Sequence, residues 1–290
     1  MKQLLVLLTI ALSSLTFAAP AKSQHFLWKA EKDGQQVWLL GSVHMGRADF
    51  FPLPKEVEDA YKHAKTLAVE ADITDSSAML SMVDIAMLPA SDTVGKHLSE
   101  AENAKLDKAL QSVGLARPIA DRMKPWLLAL SLDALEMQRL GLASNEGIDL
   151  YFLRKAKAEN KRVVELESLR SQLELFDTMP DSDTVAMLDA TMDEINAGHF
   201  KAELDAMLDA WKAGDVTAMR RVIDEDSPDD PAIKRVNDKL FGERNRAMAD
   251  KIAAMAGKTA PFVVIGAGHL ASADNVLDLL RARGFKLTQY

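Results

Sequence analysis

Apolar, strand-like runs stand near both ends of this 290-residue chain, and helical patterns fill most of the sequence between them. Each run is short, and the runs occupy residues 25–30, 36–40, 66–72, 162–167 and 261–265. The Asp33-Gly34 dipeptide between the first two runs predicts the turn of a β-hairpin. Strands that alternate with helices predict an α/β (α+β) fold, with a central mixed sheet, flanking helices and a large helical insertion in a single domain.

The helical middle of the chain carries clear start and stop signals. Ser99 and Glu102 form a capping box in front of an apolar stripe, and Gly114 predicts the end of that helix. Pro125 and Gly147 predict the starts of two more helices. Further helices are predicted over residues 168–256, with interruptions at Pro180, Gly198, Gly214 and an acidic loop at 224–230.

The first 21 residues have the pattern of a secretory signal peptide. Lys2 precedes an apolar stretch over residues 4–18, and the small residues Ala19 and Ala21 follow it. That stretch is shorter than the roughly 20 apolar residues needed to span a bilayer, although an uncleaved anchor is the alternative. We therefore expect residues 1–21 to be removed and residues 22–290 to form a periplasmic domain with no stable membrane insertion.

The composition excludes several classes of function. The chain has 43 acidic and 35 basic residues and a formal net charge of −8, so we expect no nucleic-acid partner, because phosphate binding needs a basic face. It has no cysteine, which excludes disulfides, thiolate nucleophiles and cysteine-based metal centres. A metal ion would have to bind through His, Asp, Glu and water. The sequence says nothing about the oligomeric state.

Two of the apolar strands run into the same short motif. Gly41 to His44 and Gly266 to His269 are both Gly-x-x-His, and Glu70 follows a third apolar strand. Glycine permits a sharp turn or a close approach, and the carboxyl ends of strands are where open α/β sheets place their ligand sites. If the three strands are parallel neighbours, two imidazoles and a carboxylate meet at one edge. That set suits Zn²⁺, Mn²⁺, Co²⁺ or Fe²⁺.

Each of these residues also has a structural alternative. A histidine after a strand often serves only as a hydrogen-bonding group, and His44 and His269 stand near opposite ends of the chain, so their pairing depends on the fold. Glu70 is either a site residue or a structural acid, and Asp72, two positions later, is an alternative in the same role.

The chain resembles the TraB/GumN family, which includes the Wnt-cleaving TIKI metalloproteases. The resemblance covers nearly the whole mature chain and rests on short motifs at residues 39–44, 69–72, 124–126, 147–149, 166–168 with Gln172, 243–245 and 265–269. It implies a divalent-metal hydrolase fold whose active site uses the paired Gly-x-x-His motifs and an acidic residue. The motif arrangement is also similar to that of erythromycin-esterase and ChaN-like proteins.

The resemblance implies a role for each matching residue. His44 and His269 would be ligands of a divalent ion (Mn, Co or Zn) or catalytic imidazoles, and Glu70 would be a ligand of the ion or the general base. Arg244 would hold a substrate carboxylate or stabilise an oxyanion. The groups that support these residues through hydrogen bonds and close packing would be Asn245, Glu167, Gly41 and Gly266.

Together these features predict an exported, divalent-metal-dependent hydrolase that cleaves a peptide or amide bond in a peptide or small-molecule substrate. The alternative is a non-catalytic periplasmic binding or chaperone-like protein of the same fold, connected with a peptide signal or with polysaccharide export. A third class would use the same histidines to carry copper or haem iron.

Overall fold

The structure is a computed structural model that describes residues 24–74, 83–225, 229–257 and 259–290. The predicted signal peptide, residues 1–21, lies outside the described residues, as does part of the acidic loop predicted at residues 224–230.

A six-stranded mixed sheet forms the centre of the fold. Its strands are β1 (Leu27–Lys32), β2 (Gln35–Ser42), β3 (Thr66–Val69), β4 (Arg162–Glu165), β5 (Phe262–Gly266) and β6 (Lys286–Gln289). They lie in the order β4-β3-β5-β2-β1-β6. The strands β4, β3, β5 and β2 are parallel, whereas β1 is antiparallel to both β2 and β6. The mixed sheet predicted from the sequence is therefore confirmed.

Helices fill the connections between the strands. The first, α1 (Lys55–His63), joins β2 to β3. Between β3 and β4 lie α2 (Val83–Ala86), α3 (Glu100–Val113), α4 (Arg117–Ala120), α5 (Pro125–Arg139) and α6 (Ile148–Ala158). Between β4 and β5 lie α7 (Leu169–Asp177), α8 (Asp181–Ala197), α9 (Phe200–Ala213), α10 (Val216–Arg220), α11 (Pro231–Asn237) and α12 (Glu243–Met255). The last two helices are α13 (Ala267–Ala271) and α14 (Val276–Ala282).

Among the described residues, two π-helical turns and three 3₁₀ turns also lie in the connections. The π-helical turns, at Arg221–Glu225 and Asp238–Gly242, each continue directly from an α-helix. The 3₁₀ turns are at Ala48–Phe50, Val94–His97 and Ser144–Glu146. Within the described ranges, no helix is long and apolar enough to cross a membrane.

Local signals in the sequence fold as their chemistry predicts. Asp33 and Gly34 both have positive φ, at 50° and 76°, which is the backbone geometry of a two-residue hairpin turn. Ser99 and Glu102 form the capping box of α3, and Gly114 ends that helix in the left-handed region. The structure also has α13, a short helix directly after β5 that the sequence analysis missed.

Alternate strand residues are buried on opposite faces of the sheet. Val263 and Ile265 of β5 pack with α10, α12, α13 and α14, whereas Phe262 and Val264 pack with α1 and α6. A separate apolar cluster joins α3, α5 and α8, so the helical insertion is built from two segments of the chain. The faces share one sheet, and the fold is a single domain, as predicted.

The strand order determines where the predicted site residues lie. β5 pairs in parallel with β3 on one side and with β2 on the other, so these three strands end at the same edge. His44, Glu70 and His269 each follow the carboxyl end of one of these strands. The condition on which the shared site depends, that the three strands are parallel neighbours, is therefore met.

One partly buried acid, Asp133, makes the stability of the helical layer depend on pH. Asp133 of α5 bonds with Thr191 of α8, and burial raises the pKa of its carboxyl to about 7. The folded protein thus keeps a proton that the unfolded chain has released, and stability falls as the pH rises from about 4 to about 7.

We expect Asp133→Asn to remove this dependence. The side chain is only partly buried, so urea unfolding at pH 8 should show the variant to be more stable by roughly 1–2 kcal/mol. At pH 4.5 the two proteins should differ little, because Asp133 is then neutral. A gain of the same size at both pH values would contradict this explanation.

Candidate active site

A cavity of about 360 Å³ opens at the carboxyl ends of β2, β3 and β5. One wall is polar and contains His44, Glu70, Arg244 and His269. Most of the remaining lining is apolar, and this apolar wall comes mainly from α5, α9, α10 and the two π-helical turns. The cavity therefore lies where parallel sheets usually place their ligands.

His44 is oriented by a buried carboxylate. Its Nδ1 lies 2.9 Å from Oδ2 of Asp149, and Ser42 donates a hydrogen bond of 2.6 Å to the other oxygen. The ring is 67% exposed, and its Nε2 is directed towards Gly266, at the end of β5. The negative charge of the Asp149 carboxylate favours the protonated imidazole and raises the pKa of His44 to about 9.

His269 lies in α13, and its side chain is buried. Its Nδ1 lies 2.6 Å from Oδ1 of Asn245, whose Nδ2 donates to Ser272 and to the carbonyl of Asp274. Since Asn245 thereby presents its oxygen, His269 Nδ1 carries the proton, and Nε2 has a free lone pair. Burial lowers the pKa of His269 to about 4, so the ring is neutral at pH 7.

Glu70 connects the two histidines. Its Oε1 accepts a hydrogen bond of 2.5 Å from the backbone N–H of Gly266 and lies 3.7 Å from Nε2 of His269. A Cβ atom at position 266 would lie 3.2 Å from that oxygen and 3.4 Å from Nε2 of His44. Glycine at this position therefore keeps open the space that the carboxylate and both imidazoles border.

Arg244 holds two carboxylates together. Its Nη2 lies 3.1 Å from Oε2 of Glu70 and 2.8 Å from Oε2 of Glu167, and its Nη1 donates to the carbonyl of Leu240. Burial disfavours the charge of Glu167, but the hydrogen bonds and positive charge of Arg244, together with the hydrogen bond from Gln172, hold the pKa of Glu167 below its usual value. Protein oxygens therefore accept hydrogen bonds from all three nitrogens of the Arg244 guanidinium. These bonds fix Glu70 in place.

The donor chemistry of this wall fits a divalent ion. His44 and His269 each have Nδ1 bonded to an oxygen, which leaves Nε2 for a ligand, as in most metal-binding histidines. Nevertheless, in the part of the chain that the structure describes, no three His, Asp or Glu side chains converge closely enough to hold a metal ion. Binding would have to complete that convergence.

The predicted residues differ in how directly they border the cavity. His44, Glu70, His269 and Arg244 line it. Asn245 and Glu167 support these four residues through the hydrogen bonds described above. Gly266 also lines the cavity, next to Glu70 and His44. Gly41 lies behind the site, where its carbonyl accepts a hydrogen bond of 2.8 Å from Trp211. A Cβ atom at Gly41 would overlap the ring of Phe26, so this glycine permits close packing.

The sequence analysis missed the residues that orient His44. Asp149 reaches the imidazole because Ile148, the first residue of α6, donates its N–H to the carbonyl of Val43, directly before His44. Ser42 supports the same carboxylate. Asp149 belongs to a motif already quoted for the family resemblance, at residues 147–149, and that motif was the available signal.

Gln172 belongs to a motif quoted for the family resemblance, but the sequence assigned it no role. Its Nε2 lies 3.1 Å from Glu167 and 3.3 Å from Glu70, and it therefore extends the network around Arg244. The other described histidines lie away from the cavity and contact other partners: His25 lies near Glu56, His63 near the carbonyl of Asp59, His97 between two aspartates and His199 near Glu194.

The structure is thus an α/β protein with a cavity, polar on one side, at the carboxyl edge of its parallel strands. The chain belongs to the TraB/PrgY/gumN family, whose model matches residues 26–289. This membership confirms the resemblance found in the sequence.

Alignments with several relatives cover most of this chain. The uncharacterized protein YbaP of Escherichia coli is 31% identical over 271 residues, which is 92% of this chain and 97% of that protein. The metalloproteases TIKI1 of Danio rerio and TIKI2 of Xenopus tropicalis are 20% and 21% identical over 90% of this chain. The matches cover only 62% and 59% of those two proteins. No solved structure matches the chain.

We expect Asp149→Asn to lower the pKa of His44 from about 9 towards its ordinary value of 6.5, because the carboxylate stabilises the imidazolium. In the wild type this pair stabilises the fold below pH 6.5, and the stabilisation is lost as the pH rises towards 9. NMR titration of the histidine Cε1 protons of the metal-free protein measures both values.

His97 provides an internal control for this titration. Asp181 and Asp92 raise its pKa independently of the cavity, so its titration should be the same in both proteins. An unchanged His44 pKa in the variant would show that Asp149 does not control this imidazole.

Proposed function

We propose that this chain is an exported, divalent-metal-dependent hydrolase that cleaves a peptide or amide bond at the carboxyl edge of its parallel strands. The observation that carries the proposal is that both motif histidines have Nδ1 anchored and Nε2 directed to the same space beside Glu70. The named activity of the TIKI relatives supports the reaction class, at about 20% identity over most of the chain.

His44, His269 and Glu70 would hold the ion, with Mn²⁺, Co²⁺ or Zn²⁺ as the candidates for this set of nitrogen and oxygen donors. When bound, a divalent ion would polarise the carbonyl of the scissile bond and make water more acidic. His44 carries a proton in the metal-free protein at neutral pH, and ion binding would have to release it.

The remaining groups keep the site in one arrangement. Arg244 and Gln172 hold Oε2 of Glu70, so Oε1 is directed towards Gly266 and His269. Glu70 is thereby placed either to bind the ion or to take the proton from the attacking water. Asp149 orients His44 in the same way that Asn245 orients His269.

The proposal includes a compartment and a partner class. Residues 1–21 would direct the chain to the periplasm and be cleaved there, and the substrate would be a peptide or a small molecule that carries an amide. No nucleic acid and no stable membrane insertion are part of the proposal. Mass spectrometry of protein purified from the periplasm would give the mature N-terminus, which should lie between residues 19 and 22.

The central test combines metal binding with peptide cleavage. We expect the wild type to bind Mn²⁺, Co²⁺ or Zn²⁺ and to cleave members of a peptide library, with activity lost on chelation. His44→Gln and His269→Gln should each lower metal affinity and cleavage by roughly 100-fold or more, because each removes a donor. His199→Gln, which changes an exposed histidine away from the cavity, should leave both unchanged.

Two outcomes would count against the proposal. A folded wild type that binds none of these ions in calorimetry would contradict the metal mechanism. Bound metal with no turnover across the library would favour the binding or chaperone-like alternative. Glu70→Gln separates the two roles of Glu70: loss of cleavage with metal retained assigns it as the base, and loss of both assigns it as a ligand.

We also expect Gly266→Ala to weaken metal binding by roughly tenfold or more while the protein stays folded. The added methyl group would enter the space between Glu70 and His44 and push the donors apart. Gly257→Ala is the matched control, since the nearest atom to a Cβ there is 3.8 Å away. Equal affinity for the two variants, measured by calorimetry, would show that this space is not the metal site.

A further inference from the structure

We infer that the cavity selects substrates with a large apolar side chain next to the bond that is cleaved. This inference rests on the proposed hydrolase function and adds the chemistry of the substrate. It concerns the apolar wall of the cavity. The side chains of this wall have no role in the proposed reaction.

That wall is apolar and comes from several separate elements. Its side chains include Met137 of α5, Leu204 and Met207 of α9, Met219 of α10, and Ile223 and Leu240 of the two π-helical turns. Met137, Met207 and Leu240 remain partly accessible in the cavity. Apolar surface left open beside a polar edge gains free energy when it is covered by an apolar group.

The apolar wall directly adjoins the candidate catalytic edge. The ring of Phe241 lies against the imidazole of His269, with 5.3 Å between ring centroids in an edge-to-face arrangement. Gly268 permits this approach, since a Cβ there would lie 2.8 Å from Phe241. A substrate group that contacts Phe241 and Met207 would therefore lie beside the bond presented to His269 and Glu70.

Charged substrate groups find few partners in this cavity. Of the described charged residues that line it, Arg244 pairs with Glu70 and with Glu167, and His44 pairs with Asp149. A lysine or aspartate side chain entering the cavity would lose its hydration and meet apolar surface. The cavity therefore favours apolar side chains over charged ones.

The methionines indicate how selective the wall is. Met45, Met137, Met207 and Met219 all line the cavity, and each comes from a different element. Methionine side chains are unbranched and flexible, so surfaces rich in them adapt to ligands of different shape. We therefore expect selection for size and apolarity, with leucine, methionine and phenylalanine accepted at similar rates.

The test measures kcat/KM of the metal-loaded full chain on peptides that vary at one residue beside the scissile bond. Leucine, methionine and phenylalanine should exceed glycine, aspartate and lysine by about tenfold or more, the ratio that burial of one apolar side chain supplies. Met207→Glu should lower kcat/KM for the leucine peptide by about tenfold. It should also raise the ratio of kcat/KM for the lysine peptide to kcat/KM for the leucine peptide.

Two control variants accompany Met207→Glu. Met207→Leu keeps the wall apolar and should keep the preference. Ile119→Glu places the same charge on an exposed apolar residue in α4 and should change neither rate. Thermal unfolding shows whether each variant is folded.

A second measurement does not require activity. Calorimetry with the metal-free protein and short N-acetylated amides should show tighter binding of the leucine compound than of the glycine or lysine compounds. Met207→Glu should remove that difference. Equal binding of the three compounds to the wild type, or cleavage without apolar preference, overturns the inference and leaves the hydrolase proposal intact. Apolar preference in binding without cleavage supports the inference while the hydrolase proposal fails.

Discussion

The position of β5 between β3 and β2 is the constraint on which the candidate site depends. Because β5 pairs in parallel with both neighbours, the ends of three strands from distant parts of the chain meet at one edge. The hydrogen bond from Gly266 to Glu70 then links the middle strand to the residue that follows β3. A shift of β5 by one residue would reverse its buried faces and break this link.

Much of this arrangement could be predicted from the sequence. The two strand–Gly-x-x-His runs identified the strands whose ends carry the histidines, although their pairing was left open. The capping box and the Asp33-Gly34 turn predicted local geometry that the structure has. These features are local, or they repeat a recognisable pattern. The absence of cysteine limited the candidate metal ligands to imidazole and carboxylate groups, and both kinds of group border the cavity.

The parts that could not be predicted depend on tertiary contacts. Asp149 orients His44 only because α6 begins beside the end of β2, and no local pattern predicts that contact. Arg244 matched a family motif, but its pairing with both Glu70 and Glu167 requires α12 to pack over two strand ends. The apolar wall combines α5 with residues 200–225 and 238–242, and these three segments come together only in the fold.

The proposed metal-dependent hydrolysis requires the two Gly-x-x-His motifs to share one ion. Anomalous diffraction at the cobalt edge, from crystals of the full chain loaded with Co²⁺, tests this most directly. We expect one strong anomalous peak per chain, within bonding distance of Nε2 of both His44 and His269 and beside Glu70. A peak bound to only one of these histidines, or one located elsewhere on the chain, would contradict the proposal.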